Sequence, residues 1–315
     1  MNTHTIDDLQ ILNPIPIEKI RKDKIAWIWV SKRHHNLFFS WENKELGIYN
    51  YQKDLWQVLD LREFLRESIC VEALTTTENY LCLAGFGADF VLYRLPDLTF
   101  KSQIPFENSG YGASSFKDTV FINGEIGILQ IDLDKEVKVG EFNISTIFKD
   151  NNFLLDSVST NNKVITGRFT YTGSSKDHNA KKIPELSYIT WNLSNFKLVS
   201  IIPTIFDDYT DPYLTDGGYL IDNDQIWDIK NAERIHTIFH SEYGYIIYLH
   251  EGNMLVSDEL QPSQLFLYHF NSRDAKQRII IKDSRIHNFK NWGDFLLIEK
   301  NKRYYLVDKK EFLVL

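Results

Sequence analysis

A short pattern recurs seven times along the 315 residues, and it constrains the fold more than any other feature of the chain. Each copy is an apolar run ending in a large residue, then as a rule Asn, Asp or another polar residue, then an apolar one. The copies are Tyr49-Asn50-Tyr51, Tyr93-Arg94-Leu95, Ile131-Asp132-Leu133, Trp191-Asn192-Leu193, Trp227-Asp228-Ile229, Tyr268-His269-Phe270 and Val307-Asp308-Lys309, the last departing at its third position. Their first residues stand 44, 38, 60, 36, 41 and 39 apart. After a turn each is followed by another apolar run, from Leu55 to Leu61 in the first copy to Phe312 to Leu315 in the last.

A polar turn precedes the copies at a spacing that fits one hairpin. Examples are Arg33-His34-His35-Asn36, Thr77-Glu78-Asn79, Asp216-Gly217-Gly218 and Glu251-Gly252-Asn253. In the fourth copy the turn is Thr160-Asn161-Asn162, and an insertion lengthens the gap. Each unit therefore reads as four short strands in about 40 residues, the signature of one propeller blade. A lone four-stranded sheet exposes two faces and two edges; radial packing of blades covers the faces. The pattern predicts an all-β, seven-bladed β-propeller of four-stranded antiparallel blades. It forms a single domain over 24–315, with 1–23 as an N-terminal extension packing on it. Phe312-Leu313-Val314-Leu315 is expected to form the last outer strand. Leu9 to Ile20 is then an extra segment, held extended by Pro14 and Pro16, and expected to add an edge strand or plug one face.

Composition agrees with this class. Aromatic residues make up 14% of the chain, with 21 Phe, 16 Tyr and 7 Trp, and such residues suit a pleated, half-buried surface. The longest apolar run, Ile25 to Val30, falls far short of the roughly 20 residues of a spanning helix, so no membrane role is expected. Met1 to Asp8 is polar and acidic, unlike a secretory signal. Two cysteines, Cys70 and Cys82, fall on the expected first and second strands of the second unit. They are too few for a disulfide framework. These features point to the cytoplasm. A net charge of −8 speaks against a nucleic-acid partner and suits either solubility or a basic protein partner.

The fifth unit, Gln225-Ile226-Trp227-Asp228-Ile229 running on to Ile238, resembles the third and fourth strands of a WD40 repeat, Trp-Asp dipeptide included. The segment His240-Ser241 through Glu251-Gly252-Asn253-Met254-Leu255-Val256-Ser257 resembles the start of the next WD40 blade. Asp89, ahead of Phe90, resembles the aspartate of the turn before the third strand. The chain carries one Trp-Asp and no Gly-His dipeptide. The resemblance covers roughly 24–315. It implies a rigid platform that binds other macromolecules, usually without catalysis. It also implies that loops between strands two and three open on the same face as the links between blades.

Two irregular stretches then share one rim. Thr170 to Glu185, inserted in the fourth unit, is small, polar and locally basic, with Lys176, His178, Lys181 and Lys182. Pro203 to Thr215 interleaves acids with aromatics in Asp207, Asp208, Tyr209, Asp211 and Tyr213. Exposed tyrosines flanked by acids fit an aromatic-anchored protein interface. These nine residues are the expected binding site.

Catalytic and metal chemistry is sparse. Adjacent side chains diverge in an extended chain, so His34-His35 reads as a surface turn. His236 and His240 have no evident third ligand. Asp207, Asp208 and Asp211 lack the spacing, glycine and terminal glutamate of an EF-hand loop. Gly85-Phe86-Gly87 lies in a hairpin, not before a helix that could cradle phosphate. No metal or cofactor is expected. The expected function is non-catalytic: an inhibitor or immunity protein that neutralises a toxin or enzyme partner, as a monomer or as a heterodimer with it. A scaffold adaptor is one alternative. The other is a glycan or ester hydrolase or lyase drawing Glu72, Asp156 and His287 into a central channel.

Overall fold

The computed structural model describes residues 2–17, 25–31, 33–65, 68–85, 89–104, 113–123, 127–144, 147, 153–172, 186–204, 213–215, 217–222, 225–237, 244–248, 252–258, 261–269, 272, 274–287 and 295–315. Strands β1 (Asn2–Ile6) and β2 (Ile15–Ile17) flank a 3-10 helix at Leu9–Leu12. Blade one follows as β3 (Ile25–Ser31), β4 (Asn36–Trp41), β5 (Glu45–Asn50) and β6 (Leu55–Asp60). Blade two is β7 (Ala73–Thr76), β8 (Tyr80–Ala84), β9 (Phe90–Arg94) and β10 (Thr99–Ile104). Blade three is β11 (Ala113–Phe116), β12 (Thr119–Asn123), β13 (Gly127–Asp132) and β14 (Val137–Asn143). Blade four is β15 (Phe153–Thr160), β16 (Val164–Tyr171), β17 (Leu186–Asn192) and β18 (Leu198–Thr204). Blade five is β19 (Tyr213–Leu214), β20 (Tyr219–Asp222), β21 (Gln225–Asp228) and β22 (Glu233–Thr237). Blade six is β23 (Gly244–Tyr248), β24 (Asn253–Asp258), β25 (Gln264–His269) and β26 (Gln277–Ile281). Blade seven takes β27 (Ser284–His287), β28 (Phe295–Lys300) and β29 (Arg303–Asp308) from the end of the chain. The seven sheets form a ring, a seven-bladed β-propeller.

The sequence triplets acquire a structural meaning. The third strands β5, β9, β13, β17, β21, β25 and β29 end at Asn50, Arg94, Asp132, Asn192, Asp228, His269 and Asp308, the middle residue of every triplet. Where that residue is Asn or Asp, its side chain closes the following turn. Asn50 Oδ1 accepts the Lys53 amide, Asp132 Oδ1 those of Asp134 and Lys135, Asn192 Oδ1 that of Ser194, and Asp228 Oδ1 that of Lys230. Such Asx turns are why short polar side chains are favoured there. Five residues past the start of the triplet, the backbone turns left-handed at Asp54, Leu98, Glu136, Phe196 and Ala232, with φ between 50° and 60°. The repeat is thus a repeat of hairpin geometry.

Ring closure departs from expectation. The fourth strand of blade seven is β2, from the opposite end of the chain, paired antiparallel with β29 through Ile15↔Leu306, Pro16↔Tyr305 and Ile17↔Tyr304. Pro16 is tolerated because β2 is an outer edge strand, where one side of its backbone needs no ladder partner. Phe312 to Leu315 does not form a strand. Asp308 caps the Lys310 amide as its counterparts do, but the chain winds on into a 3-10 helix, Lys309–Leu313. β1 adds a fifth, parallel strand to blade six alongside β26, from Asn2↔Gln277 to Ile6↔Ile281.

The core is divided among the seams. Among the described residues, seven apolar clusters each join two neighbouring blades. Between blades three and four, Phe121, Ile128 and Phe142 meet Leu155, Phe169 and Trp191. Side chains fill the seam so tightly that a Cβ at Gly167 would stand 2.8 Å from Leu155 Cδ1, 2.8 Å from a Phe169 ring carbon and 3.0 Å from Ile128 Cδ1 of blade three.

Candidate functional site

The fourth strand of one blade is followed along the chain by the first strand of the next, and strand ends alternate along an antiparallel blade. Links between blades and connectors between strands two and three therefore leave from one end. In blade four that rim is fixed by the register Thr170↔Leu186↔Thr204. Two long connectors depart from it: 172–185 between β16 and β17, and 205–212 between β18 and β19. The platform beneath is well packed. Leu186, Tyr188, Ile189 and Ile202 are all buried, and Tyr188 and Ile202 pack against Leu214, Leu220 and Ile229 of blade five. Thr166 and Thr190 share a buried hydroxyl–hydroxyl hydrogen bond of 2.8 Å within blade four.

The connectors' own side chains, Lys176, His178, Lys181, Lys182, Asp207, Asp208, Tyr209 and Asp211, lie outside the described residues. Tyr213 is the first residue of β19 by its backbone, paired with Ile221; its side chain is not among those described.

The channel candidates occupy different levels of the innermost strands. Glu72 stands just ahead of β7, its amide donating to Ala84 O at 3.1 Å, and its carboxylate accepts from Ser68 Oγ at 3.0 Å. Asp156 is the extra residue at a bulge in β15, and His287 is the last residue of β27. Only the backbones of these last two are described.

Two other sequence candidates have structural employment. His34 Nε2 lies 2.6 Å from the Thr77 carbonyl oxygen, so this side chain ties the first hairpin of blade one to that of blade two. Cys82 lies on β8, whereas Cys70 lies in the link three residues before β7 rather than on a first strand. Both thiols are buried. Burial, helped by the nearby Glu72 carboxylate, pushes Cys70 up to about 11, and burial pushes Cys82 up as well. Both are therefore un-ionised at neutral pH and poor nucleophiles. Among the described residues no group of three or more His, Cys, Asp or Glu side chains could hold a metal.

Sequence reasoning missed the polar stitching of the channel wall. Ser31, Thr75, Thr76 and Ser115 sit on the first strands of three consecutive blades. Thr76 Oγ1 donates to Ser31 Oγ at 3.0 Å, Thr75 Oγ1 to Ser115 Oγ at 2.9 Å, and Ser115 Oγ lies 3.1 Å from Thr76 O. Farther round, Asn161 Nδ2 donates to Thr215 O at 2.9 Å across blades four and five. The signal was available, since Ser31, Thr76, Thr160 and Thr215 all recur near first-strand ends.

No family model matches the sequence, and no curated protein matches it. Solved structures do match the fold. The β-propeller domain of Cps50 (Swd1) from Myceliophteria thermophila superposes with a TM-score of 0.63 at 12% identity, covering 92% of this chain and 99% of that one. The computationally designed Ika8 protein matches with a TM-score of 0.54 at 8% identity, covering 93% and 98%. The chain is thus a seven-bladed β-propeller with a WD40-like architecture.

Proposed function

We propose that this propeller is a non-catalytic binding protein that caps a basic protein partner, as an inhibitor or immunity protein for a toxin or enzyme. One observation carries the reading: both long connectors leave the same end of blade four, from the paired positions Thr170, Leu186 and Thr204. Functional loops held on a rigid scaffold are a common way to build recognition. A preformed platform loses little conformational freedom on docking. Asp207, Asp208 and Asp211 supply charge for a basic surface, and Tyr209 and Tyr213 supply anchors.

The test starts with capture of the partner from source lysate by the intact protein. Affinity is then measured by titration for wild type and for the combined variant Asp207→Ala, Asp208→Ala, Tyr209→Ala and Tyr213→Ala. The variant is expected to bind about tenfold or more weakly, the usual effect of losing hot-spot contacts. Stoichiometric addition of wild type should also silence the partner's own activity. Equal affinity for both proteins would refute the site, and an undiminished partner activity would refute the inhibitor role.

A further inference from the structure

The outer strands of the blades differ in a way that singles out blade one. In blades two to five the fourth strand carries a bulge at the same place, eight residues past the start of the triplet. The extra residues are Lys101, Val139, Val199 and Ile235. Bulges twist an edge away from further pairing. In blades six and seven the N-terminal segment lines the outer edge, with β1 on β26 and β2 on β29. β1 and β2 are then the outermost strands, the first polar up to Ile6 and the second three residues long with a central proline. Among the described residues blade one has neither device. β6 pairs with β5 in unbroken register from Glu45↔Asp60 to Asn50↔Leu55. Its sequence, Leu55-Trp56-Gln57-Val58-Leu59-Asp60, holds no proline and no lysine. Leu55 is 49% exposed and Val58 53%. Long, regular, apolar edges of this kind are templates for strand addition.

We propose that β6 pairs antiparallel with β6 of a second copy of this chain, about a twofold axis through Val58. Two independent features select that register. The first is the hydrogen-bonding phase. The Leu61 amide donates inward to Lys44 O at 3.0 Å. In a regular antiparallel ladder alternate residues face alternate sides, so the backbone groups of Trp56, Val58 and Asp60 face outward. An axis on Val58 places Val58 against Val58 and Trp56 against Asp60, and every such pair can exchange both its N–H···O=C bonds. The second is charge. The same axis brings the exposed turn residue Lys53 toward Glu63, and Asp54, which accepts from Tyr49 Oη at 3.1 Å, toward Arg62, which pairs with Glu45 at 3.5 Å and Asp60 at 3.6 Å in its own chain. An axis on Gln57 would oppose Asp54 to Asp60, and one between Gln57 and Val58 would oppose Lys53 to Arg62. A closed twofold contact of this sort is isologous and stops at two copies. It replaces the monomer suggested by the sequence with a dimer that leaves the rim of blade four unoccupied.

Sedimentation of the full-length protein across a concentration series tests this. Wild type is expected to shift from the one-chain to the two-chain mass as concentration rises. Val58→Pro removes an outward-facing amide and constrains the backbone locally, as an edge strand tolerates, and Val58→Lys leaves the backbone untouched and places like charges on the axis. Both are expected to stay at the one-chain mass while keeping the wild-type circular dichroism spectrum and melting midpoint. Lys53→Glu should weaken the dimer roughly fivefold, and Glu63→Lys in the same chain should restore it. A wild type that remains one chain up to its solubility limit overturns the proposal. So does a dimer that survives both Val58 variants, or a charge swap that fails to rescue.

Discussion

At the seam between blades six and seven, both ends of the chain are buried together. Ile6, Leu9, Leu12 and Phe312 pack with Leu255, Ile279, Leu296 and Val307. The polar contacts around them are exposed: Lys282 Nζ meets Asp7 at 2.6 Å with both side chains more than half exposed, and Asn13 donates to Glu311 at 3.2 Å. At the seam between blades two and three the apolar filling includes small residues, Ala73, Cys82 and Ala84, and the polar contacts are sheltered. The Lys101 side chain is 9% exposed there. It lies 4.3 Å over the Tyr80 ring, donates to Leu133 O at 2.6 Å and pairs with Glu136 at 3.2 Å. Tyr80 in turn donates to Asp134 at 3.0 Å. The contrast follows from what each seam must accomplish. Gathering distant segments needs area, and apolar burial is non-directional and scales with area. Setting one blade's rotation against the next needs direction, which sheltered, charge-assisted hydrogen bonds provide. Exposed ion pairs such as Lys282–Asp7 add little to either.

This contrast can be broken at either seam. The largest effect is expected from deleting residues 2–17. The deletion removes the outer strand of blade seven and the buried side chains of Ile6, Leu9, Leu12 and Ile17, each contributing about 2 kcal/mol by burial. The truncated chain should lose its cooperative melt by circular dichroism; a midpoint within a few degrees of wild type would sink the closure argument. Next comes Phe312→Ala, expected to cost about 3–5 kcal/mol in urea unfolding. A cost below 1 kcal/mol or so would mean that the 3-10 helix is not part of the core. Lys101→Met should cost less, about 1–2 kcal/mol, because it strips a sheltered carbonyl and a carboxylate of their shared donor.

The Lys101 variant also has a pH signature. Burial alone would lower the lysine's pKa, but the Tyr80 hydroxyl and the Glu136 carboxylate outweigh it and hold it above its ordinary value. Stability from a raised lysine is fully present below its unfolded value and lost as pH rises through the folded one. The gap between wild type and Lys101→Met should therefore hold at neutral pH and close in strongly alkaline solution. A gap independent of pH would assign the effect to packing instead. The smallest effect is expected from Ser115→Ala, about 0.5–1.5 kcal/mol, since only neutral, part-buried links are lost, the one accepted from Thr75 and the one donated to Thr76 O.

Much of the fold is legible in the sequence because the triplets encode local geometry. Asn50, Asp132, Asn192 and Asp228 cap the turns that follow them, so their spacing counts hairpins directly. The proposed rim is legible to the extent that insertions mark it: the connector 172–185 lies between strands two and three of blade four, as the long gap between triplets implies. Ring closure was only half legible: Leu9 to Ile20 reads as an added edge strand or a plug, but not as the strand that completes blade seven. Phe312-Leu313-Val314-Leu315 has strand composition, yet Phe312 is buried in the seam of blades six and seven. The three-residue strand Ile15–Ile17, with a proline at its centre, fills the place instead. A segment so short carries no periodicity of its own. Its partner, Tyr304 to Leu306, lies almost the whole chain away.

The sequence alone determined the class, the number of blades and the place where each third strand stops. Those depend on contacts within a few residues, where side-chain type and backbone geometry are tightly linked. Tertiary structure decided which end of the chain closes the ring, which hydroxyls join neighbouring blades and which outer edge stays straight. Those depend on surfaces that meet only once every blade is in place.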